Sequence, residues 1–290
     1  MNTIKVALMM TGLMMLFMWV GYAFAGENGM IIAFSLAAVL NIVSYWFSDK
    51  IVLKMYKARE IKESDHPRLY RVVRRVSTAA MIPMPKVYII PTKAPNAFAT
   101  GRSVNHAAVA ATEGLIELLS EDELEGVMGH EIAHVINKDM LIGTVAATIA
   151  GAIGMIASMA RFAAIFGGMG SRDGESRGGS PLSLLVAAIL APIIAMVIQT
   201  AISRQREYKA DAIGGRLTNK YLSLASALQK IHKAPVKMNL DENPATAHLM
   251  IANPLSGRGI ANLFSTHPPV EKRIEALNKL AQDAIYSPYV

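Results

Sequence analysis

Residues 120–138, SEDELEGVMGHEIAHVINK, predict a buried helix, and the pattern of this helix indicates the class of the fold. Within it His130 and His134 are one helical turn apart, so both imidazoles lie on one face and can bind a single metal ion. Glu131 follows the first histidine and is placed to act as a general base for a water on that metal, as in zinc hydrolases. Such a short pattern also arises by chance, so the rest of the chain must support it.

The boundaries of this helix follow from its sequence. Ser120 followed by Glu123 has the spacing of a capping box, and acidic residues in the first turn favour a helix start. Apolar residues then recur at helical spacing, so we predict one helix over residues 121–138. The alternative is a core helix with two incidental histidines. It is disfavoured because buried histidines and a buried carboxylate are costly without a metal ion.

The composition indicates a membrane protein. Of the 290 residues, 52% are hydrophobic and only 18% are charged, and the mean hydropathy is +0.33, which is too apolar for an ordinary soluble domain. The chain has no cysteine, so a metal site must use histidine and carboxylate ligands. Basic residues beside membrane spans account for the net charge of +7, and we expect no nucleic-acid partner.

Two apolar stretches at the amino terminus predict a transmembrane hairpin. Val6–Ala25 is uncharged and long enough to cross the hydrocarbon core as a helix, and Met30–Phe47 is a second such stretch. Residues 23–25 resemble a signal-peptidase site, but the apolar run is long and a second span follows, so we expect no cleavage. The flanking basic residues are Lys5, Lys50, Lys54, Lys57, Arg59 and Lys62. By the positive-inside rule both ends of the hairpin are cytoplasmic.

Two further apolar stretches, Leu141–Met159 and Leu182–Ile202, are richer in alanine and glycine. They are either a second transmembrane hairpin or buried helices of a globular domain. Residues 167–180 between them contain six glycines and balanced charge, so this segment is a surface loop that cannot lie in lipid.

The third metal ligand is expected on a helix that follows the last apolar stretch. A catalytic zinc site uses three protein ligands, and Glu207 and Asp211 share one face of a helical sequence that begins near residue 204. Glu207 is placed to bind the metal while Asp211 holds a ligand imidazole, although such a pair is more often a solvated face. If Glu207 reaches the same metal as His134, the number of spans between residues 141 and 203 is even.

The segment before the metal helix predicts a small β-sheet. We predict a helix over residues 65–80 and a strand over Lys86–Ile90. Two short strands around a turn are predicted over Asn96–Thr100 and Ala107–Ala111. An edge strand beside the metal helix would bind an extended peptide through its backbone. The alternative is a purely structural hairpin.

These elements predict a fold that is mainly α with a small β-sheet, divided into four parts. Residues 1–48 form the transmembrane hairpin, and residues 49–140 form the first part of the catalytic domain with the β-hairpin and the metal helix. Residues 141–203 form the second apolar hairpin with its glycine-rich loop, and residues 204–290 complete the catalytic domain.

Together these residues resemble the HtpX family of bacterial membrane zinc endopeptidases, which is related to the CaaX prenyl proteases. The matching segments are His130-Glu131-x-x-His134 with Asn137-Lys138-Asp139, Glu207-Tyr-Lys-Ala-Asp211, Thr266-His267-Pro268-Pro269 with Arg273, and Asn96-Ala97-Phe98-Ala99. The resemblance extends over essentially the whole chain. It implies an integral membrane, gluzincin-like metalloprotease with transmembrane helices.

The resemblance also implies the roles of single residues. His130, His134 and Glu207 would bind one Zn²⁺ per chain, and Glu131 would be the general base. The substrate-binding residues would be Asn96, Ala97 and Phe98.

Four further positions have implied roles around this site. Asp139 and Asp211 would orient the imidazoles. His267 would stabilise the oxyanion, or it would simply precede a helix that begins with proline. Arg273 would pair with the carboxylates of the site or lie on the surface.

The implied function is cleavage of membrane proteins or unfolded polypeptides in quality control and the stress response. The protein would be a multi-pass protein of the bacterial inner membrane, in contact with the lipid bilayer, with its active site facing the cytoplasm. A maturation protease with a narrow specificity, or a membrane scaffold without catalytic activity, remain alternatives. No Walker motif is present, so ATP-driven unfolding within this chain is not expected.

Overall fold

The computed structural model describes residues 2–143, 145, 204–234 and 268–286. These residues form a mainly helical fold with one small sheet, which confirms the predicted class. The helices are α1 Asn2–Met55, α2 Pro67–Ala79, α3 Glu113–Leu118, α4 Glu121–Ile136, α5 Arg204–Thr218, α6 Tyr221–Lys233 and α7 Val270–Tyr286. The strands are β1 Arg59–Glu60, β2 Lys86–Ile90, β3 Ala97–Gly101 and β4 Ala107–Thr112.

Helix α1 reverses its direction around Gly26, which has a positive φ of 59°. On the two sides of this reversal, the side-chain Nδ2 of Asn41 donates to the carbonyl oxygen of Met10 over 3.1 Å. A straight helix would hold these residues, 31 positions apart, at a separation of about 46 Å. The amino-terminal segment is therefore a helical hairpin.

One arm of this hairpin is suited to a bilayer by length and composition. In the described part of the chain, Gly26–Phe47 is the helix long and apolar enough to cross a membrane, and Ile4–Trp19 is apolar but shorter. Large apolar side chains such as Leu8 and Ile32 are about two-thirds exposed at 67% and 69%, as expected of a surface that faces lipid. The stretches predicted at Leu141–Met159 and Leu182–Ile202 lie outside the described residues, except for 141–143 and 145.

The sheet has the strand order β1-β2-β4-β3, with β2 parallel to β4 and the other pairs antiparallel. Its side chains alternate between two faces. Phe98 packs with Tyr56 and Val52 near the end of α1, whereas Ala97 and Ala99 face the main core. The sheet is thus held between the end of the amino-terminal hairpin and the helical layer that contains α4.

Helix α4 is the central element of the main core, and it packs against α2, α5, α6 and the sheet. Its buried apolar residues include Leu124, Met128 and Ile132. The predicted capping box is present: the Ser120 hydroxyl accepts from the Glu123 backbone N–H, and the Glu123 carboxylate accepts from the Ser120 N–H. The apolar residues that recur at helical spacing are therefore buried, and other elements cover α4 on nearly every side.

Candidate metal centre

Helix α4 brings the two predicted histidine ligands together. The Nε2 atoms of His130 and His134 are 3.2 Å apart, and the His130 side chain is almost completely buried. Two neutral imidazole lone pairs at this distance repel each other unless a cation or a shared proton lies between them.

Glu207 on α5 lies close to both histidines and completes the group of three candidate ligands. Its Oε2 is 3.6 Å from His130 Nε2, and its Oε1 is 3.6 Å from His134 Nε2. Two donors that bind one zinc ion at about 2.0–2.1 Å with tetrahedral angles lie about 3.3–3.4 Å apart. The three side chains predicted from the sequence therefore fit a metal ion, and their donor atoms all lie within 4.8 Å of one another.

This convergence depends on a close crossing of α4 and α5 at two glycines. A Cβ on Gly214 would lie 2.6 Å from the backbone nitrogen of His130, and a Cβ on Gly129 would lie 2.9 Å from the carbonyl oxygen of Gly214. Any side chain at these positions would push the helices apart. The short distance between the two backbones allows Glu207 to reach the histidines.

The imidazole of His130 is held from behind by a buried carboxylate. Its Nδ1 is 2.9 Å from Asp211 Oδ1, so Nδ1–H donates to the carboxylate and Nε2 presents its lone pair to the metal position. Asp211 in turn accepts two hydrogen bonds from Arg273, from Nε over 2.8 Å and from Nη2 over 2.7 Å. Asp211 therefore contacts the His130 imidazole, and Arg273 pairs with a buried carboxylate and does not lie on the surface.

The imidazole of His134 has a similar arrangement. Its Nδ1 is 3.3 Å from Asp139 Oδ2, and Asp139 Oδ1 is 3.8 Å from Arg206 Nη1 on α5. Sequence reasoning did not single out Arg206, because a basic residue next to the ligand Glu207 carries no distinguishing pattern.

The position of Asp139 follows from the way α4 ends. Lys138 has a left-handed backbone with φ of 58°, and the backbone N–H groups of Lys138 and Asp139 donate to the carbonyl oxygens of Val135 and His134. These are the two bonds of a Schellman motif. The helix therefore ends at Ile136, two residues before the predicted end at 138, and the turn carries the Asp139 carboxylate back to the imidazole.

The charges around the site favour a divalent cation. With ionised carboxylates and neutral imidazoles, the site has four negative charges and two positive ones, so two negative charges remain among the described residues. The residues are Glu131, Asp139, Glu207 and Asp211 against Arg206 and Arg273, all with mostly buried side chains. One divalent ion balances this charge, and leaving it unbalanced in a buried site would be costly.

The pKa shift of His130 agrees with this negative potential, whereas those of Glu131 and Asp211 have other causes. Burial alone would lower the pKa of His130, but hydrogen bonds to Asp211 and Glu207 outweigh burial and raise the pKa to about 10. Burial raises the pKa of Glu131. Burial would also raise the pKa of Asp211, but the charge and hydrogen bonds of Arg273 lower it, so this carboxylate stays ionised.

Glu131 lies between the metal ligands and the edge strand β3. Its carboxylate accepts a hydrogen bond from the backbone N–H of Ala99. The backbone N–H of Thr112 donates to Asn96, so by the alternation of an antiparallel ladder Ala97 and Ala99 direct their backbone groups away from β4. The outer edge of β3 therefore faces the site.

The predicted substrate-binding residues differ in their surroundings. Asn96 is buried, and its backbone is bonded to Thr112 in both directions. Ala97 has its backbone at the free edge of the sheet, whereas the Phe98 ring packs against Tyr56 on the face away from α4. A contact with a peptide would therefore come from the backbone at Ala97. His267 lies outside the described residues.

A helix with the pattern His-Glu-x-x-His, completed by a glutamate from a second helix, defines a metallopeptidase site of the gluzincin type. The profile of peptidase family M48 matches residues 63–281. The chain is 52% identical over 280 residues to the "Protease HtpX homolog" of Syntrophobacter fumaroxidans, which covers 95% of this chain and 98% of the relative. The homologue of Pyrococcus furiosus is 50% identical over 284 residues, with 97% and 96% covered.

The chain therefore belongs to peptidase family M48, and its relatives place it among the HtpX proteases of that family. The predicted resemblance is confirmed, and the protein is a metalloprotease. The crystal structure of S. mikatae Ste24p matches with a TM-score of 0.50 at 17% identity, covering 96% of this chain and 65% of that one. This likeness supports the fold alone.

Proposed function

We propose that this protein is a zinc-dependent endopeptidase that cleaves membrane proteins and unfolded polypeptides at the cytoplasmic face of the bacterial inner membrane, in quality control. The observation that carries the proposal is the arrangement of Glu131 between the ligand group and the outer edge of β3. In this arrangement the Glu131 carboxylate, the donor atoms of the three candidate ligands and the outer edge of β3 lie close together, which supports the proposal.

Different residues of the chain would have different roles in this hydrolysis. His130, His134 and Glu207 would hold the zinc ion, which supplies Lewis-acid activation of water and of a peptide carbonyl. Glu131 would take the proton from the attacking water and return it to the leaving amine. The buried position of Glu131 keeps bulk water away from this transfer, and the Ala99 N–H holds its carboxylate in place.

The edge of β3 supports a broad substrate range. A peptide paired with the backbone of Ala97 would be bound through main-chain hydrogen bonds, which any sequence can form. An unfolded or misassembled substrate presents such an extended segment more readily than a folded one does. This recognition suits quality control better than the maturation of one specific protein.

Contacts between the hairpin and the sheet support action close to the membrane. Trp46 lies near the end of the apolar span, and the guanidinium of Arg102, one residue after β3, is 5.0 Å from the centre of its ring. Exposed Lys50 and Lys54 follow in the same helix, as the positive-inside rule expects of a cytoplasmic end. With β3 attached to this end, substrates would be cut near the bilayer surface. The second hairpin over 141–203 would make the protein multi-pass.

The test is cleavage of casein and of a membrane-protein substrate by the full chain in detergent. We expect Glu131→Gln to reduce kcat by at least about 10³-fold, because the general base is lost, while one zinc per chain remains bound. Glu125→Gln is the matched control, since Glu125 lies on the same helix and pairs with Arg75 instead. Cleavage that survives both chelation and Glu131→Gln would refute the mechanism. A wild type that binds zinc but cleaves nothing would favour the scaffold alternative.

The topology has a separate test, because the native chain contains no cysteine. A single cysteine in place of Ser176 should react with an impermeant reagent added to intact spheroplasts if the segment over 141–203 crosses the membrane twice. Labelling only after lysis would contradict the second hairpin.

A further inference from the structure

The carboxy-terminal helix α7 contributes a fully buried guanidinium to the metal centre. Arg273 has an exposed fraction of 0%, and both of its hydrogen bonds to Asp211 are short, at 2.7 and 2.8 Å. Its Nη1 is 3.7 Å from Glu207 Oε2, and its Nη2 is 3.4 Å from His130 Nδ1. One side chain therefore lies beside two of the three ligands, which come from different helices.

We propose that Arg273 is a positioning residue whose arrival with α7 makes the ligand set competent to bind metal. The proposal deepens the proposed function and depends on it for the identity of the metal. The proposal rests on three contacts. Arg273 fixes the Asp211 carboxylate, Asp211 fixes the His130 imidazole, and the same guanidinium limits where the Glu207 carboxylate can lie.

The fork shape of the guanidinium is what fixes Asp211. A carboxylate bound through one oxygen can still rotate, whereas a bidentate arginine holds both oxygens in one plane. Asp211 Oδ1 accepts from Arg273 and also lies 2.9 Å from His130 Nδ1. Because one oxygen is shared, the orientation set by the arginine is passed directly to the imidazole.

Stability alone does not account for this arrangement. Replacing a buried ion pair with apolar side chains of similar size is often neutral or stabilising. Apolar contacts already hold α7 in place, through Leu277, which is fully buried, and through Ile274 and Val270, which pack against the main core. The charged side chain is therefore directed at the site and is not required for docking.

Arg273 lies far along the chain from the residues that it contacts, and this separation affects the order in which the site assembles. Arg273 is 62 residues from Asp211 and 143 residues from His130. The ligands on α4 and α5 can meet while α7 is still undocked, but Asp211, which holds the His130 imidazole, is then not fixed by Arg273. High-affinity metal binding becomes a property of the complete fold, which delays proteolytic competence until the last helix is in place.

The experiment compares full-length variants in detergent: wild type, Arg273→Met, Arg273→Lys, Asp211→Asn, the double variant Asp211→Asn with Arg273→Met, and Arg75→Met. Three quantities are measured for each: the zinc dissociation constant by chelator competition, the visible absorption spectrum of the Co²⁺ form, and the melting temperature of the metal-free protein. Arg75→Met is the matched control, because Arg75 pairs with exposed Glu121 and with Glu125 on α4, away from the site.

We expect Arg273→Met to weaken zinc binding about 10- to 100-fold, the range for loss of a group that orients a ligand, and to alter the Co²⁺ spectrum. Arg273→Lys should be intermediate, because lysine restores the charge without the fork. The losses of zinc affinity in the double variant should be clearly less than additive, since the arginine acts mainly through the Asp211 carboxylate. Arg75→Met should bind zinc as the wild type does.

Two results would overturn the proposal: an Arg273→Met variant with unchanged zinc affinity and Co²⁺ spectrum, or fully additive losses in the double variant. If Arg273→Met does not fold, the comparison of Arg273→Lys with the wild type decides the same question. None of these measurements uses proteolysis. A wild type that binds zinc tightly but cleaves no substrate would refute the proposed function and leave this inference standing.

Discussion

The crossing of α4 and α5 predicts that Gly214→Ala disrupts the metal centre although the substituted residue binds no metal. The new Cβ would lie 2.6 Å from the His130 nitrogen and 2.7 Å from the Gly129 carbonyl carbon. These are backbone atoms, so rotation of a side chain cannot relieve the contact. Carbon contacts are comfortable at about 3.5–4.0 Å, and α5 must therefore move away from α4 by about 1 Å.

A shift of about 1 Å exceeds what a zinc site tolerates, since ligand distances hold to within about 0.2 Å. Glu207 moves with α5 while both histidines stay on α4, so we expect zinc affinity to fall by at least about tenfold. Alanine is favoured over glycine in a helix by about 1 kcal/mol, whereas overpacking costs about 1–3 kcal/mol. We therefore expect a net loss of up to about 2 kcal/mol in the free energy of unfolding.

The assay measures zinc affinity by chelator competition and melting temperature with and without metal. Gly12→Ala is the matched control: it makes the same change within a helix, but its Cβ would meet nothing within 4 Å. It should keep the zinc affinity of the wild type and lose no stability. If Gly214→Ala also binds zinc normally, the close crossing does not determine the ligand geometry.

Two further predictions concern the ends of α4. Burial alone would raise the pKa of Glu123, but hydrogen bonds from Lys230, the Ser120 N–H and Ser226 lower this pKa from 4.5 to about 2. The ionised Glu123 carboxylate therefore contributes its full stabilisation above about pH 4.5. This contribution is lost as the pH falls towards 2. Glu123→Gln should therefore cost about 1–3 kcal/mol at pH 7 and much less at pH 3, as measured by chemical unfolding; an equal cost at both values would contradict the assignment. Lys138→Gly should raise the free energy of unfolding by about 0.5–1 kcal/mol, because it relieves the left-handed backbone, and should leave zinc affinity unchanged; a loss of stability would show that the lysine side chain matters more than the strain.

Local patterns were sufficient to predict the elements of the catalytic part. Helix α4 begins where the Ser120–Glu123 spacing places it, and β2 spans Lys86–Ile90 as predicted. The candidate ligands His130 and His134 could be predicted because helical periodicity fixes which side chains share a face, whereas Glu207 was favoured by the need for a third donor and by the family resemblance. The first of these inferences needs only the geometry of one helix.

Other features that depend on packing between elements were not predicted. Sequence spacing does not show that β2 pairs with β4, which leaves β3 at the edge, nor that Arg206 reaches Asp139. The glycines offered a signal: Gly129 lies inside α4 and Gly214 inside α5, and each weakens its helix by about 1 kcal/mol relative to alanine. A cost of this size within two helices that supply ligands to one metal indicates a close crossing, and the structure shows that crossing.

The five residues from His130 to His134 are thus necessary for the site but do not define it. Each imidazole is oriented by a carboxylate that comes from outside this segment, Asp211 for His130 and Asp139 for His134. Each carboxylate is in turn balanced by an arginine from α5 or α7. A chain with the five residues intact but without the carboxy-terminal helix would keep the motif and lose the arginine that fixes Asp211 against His130. We therefore expect metal affinity in this protein to depend on the packing of three helices, and a glycine at their crossing to matter as much as a ligand.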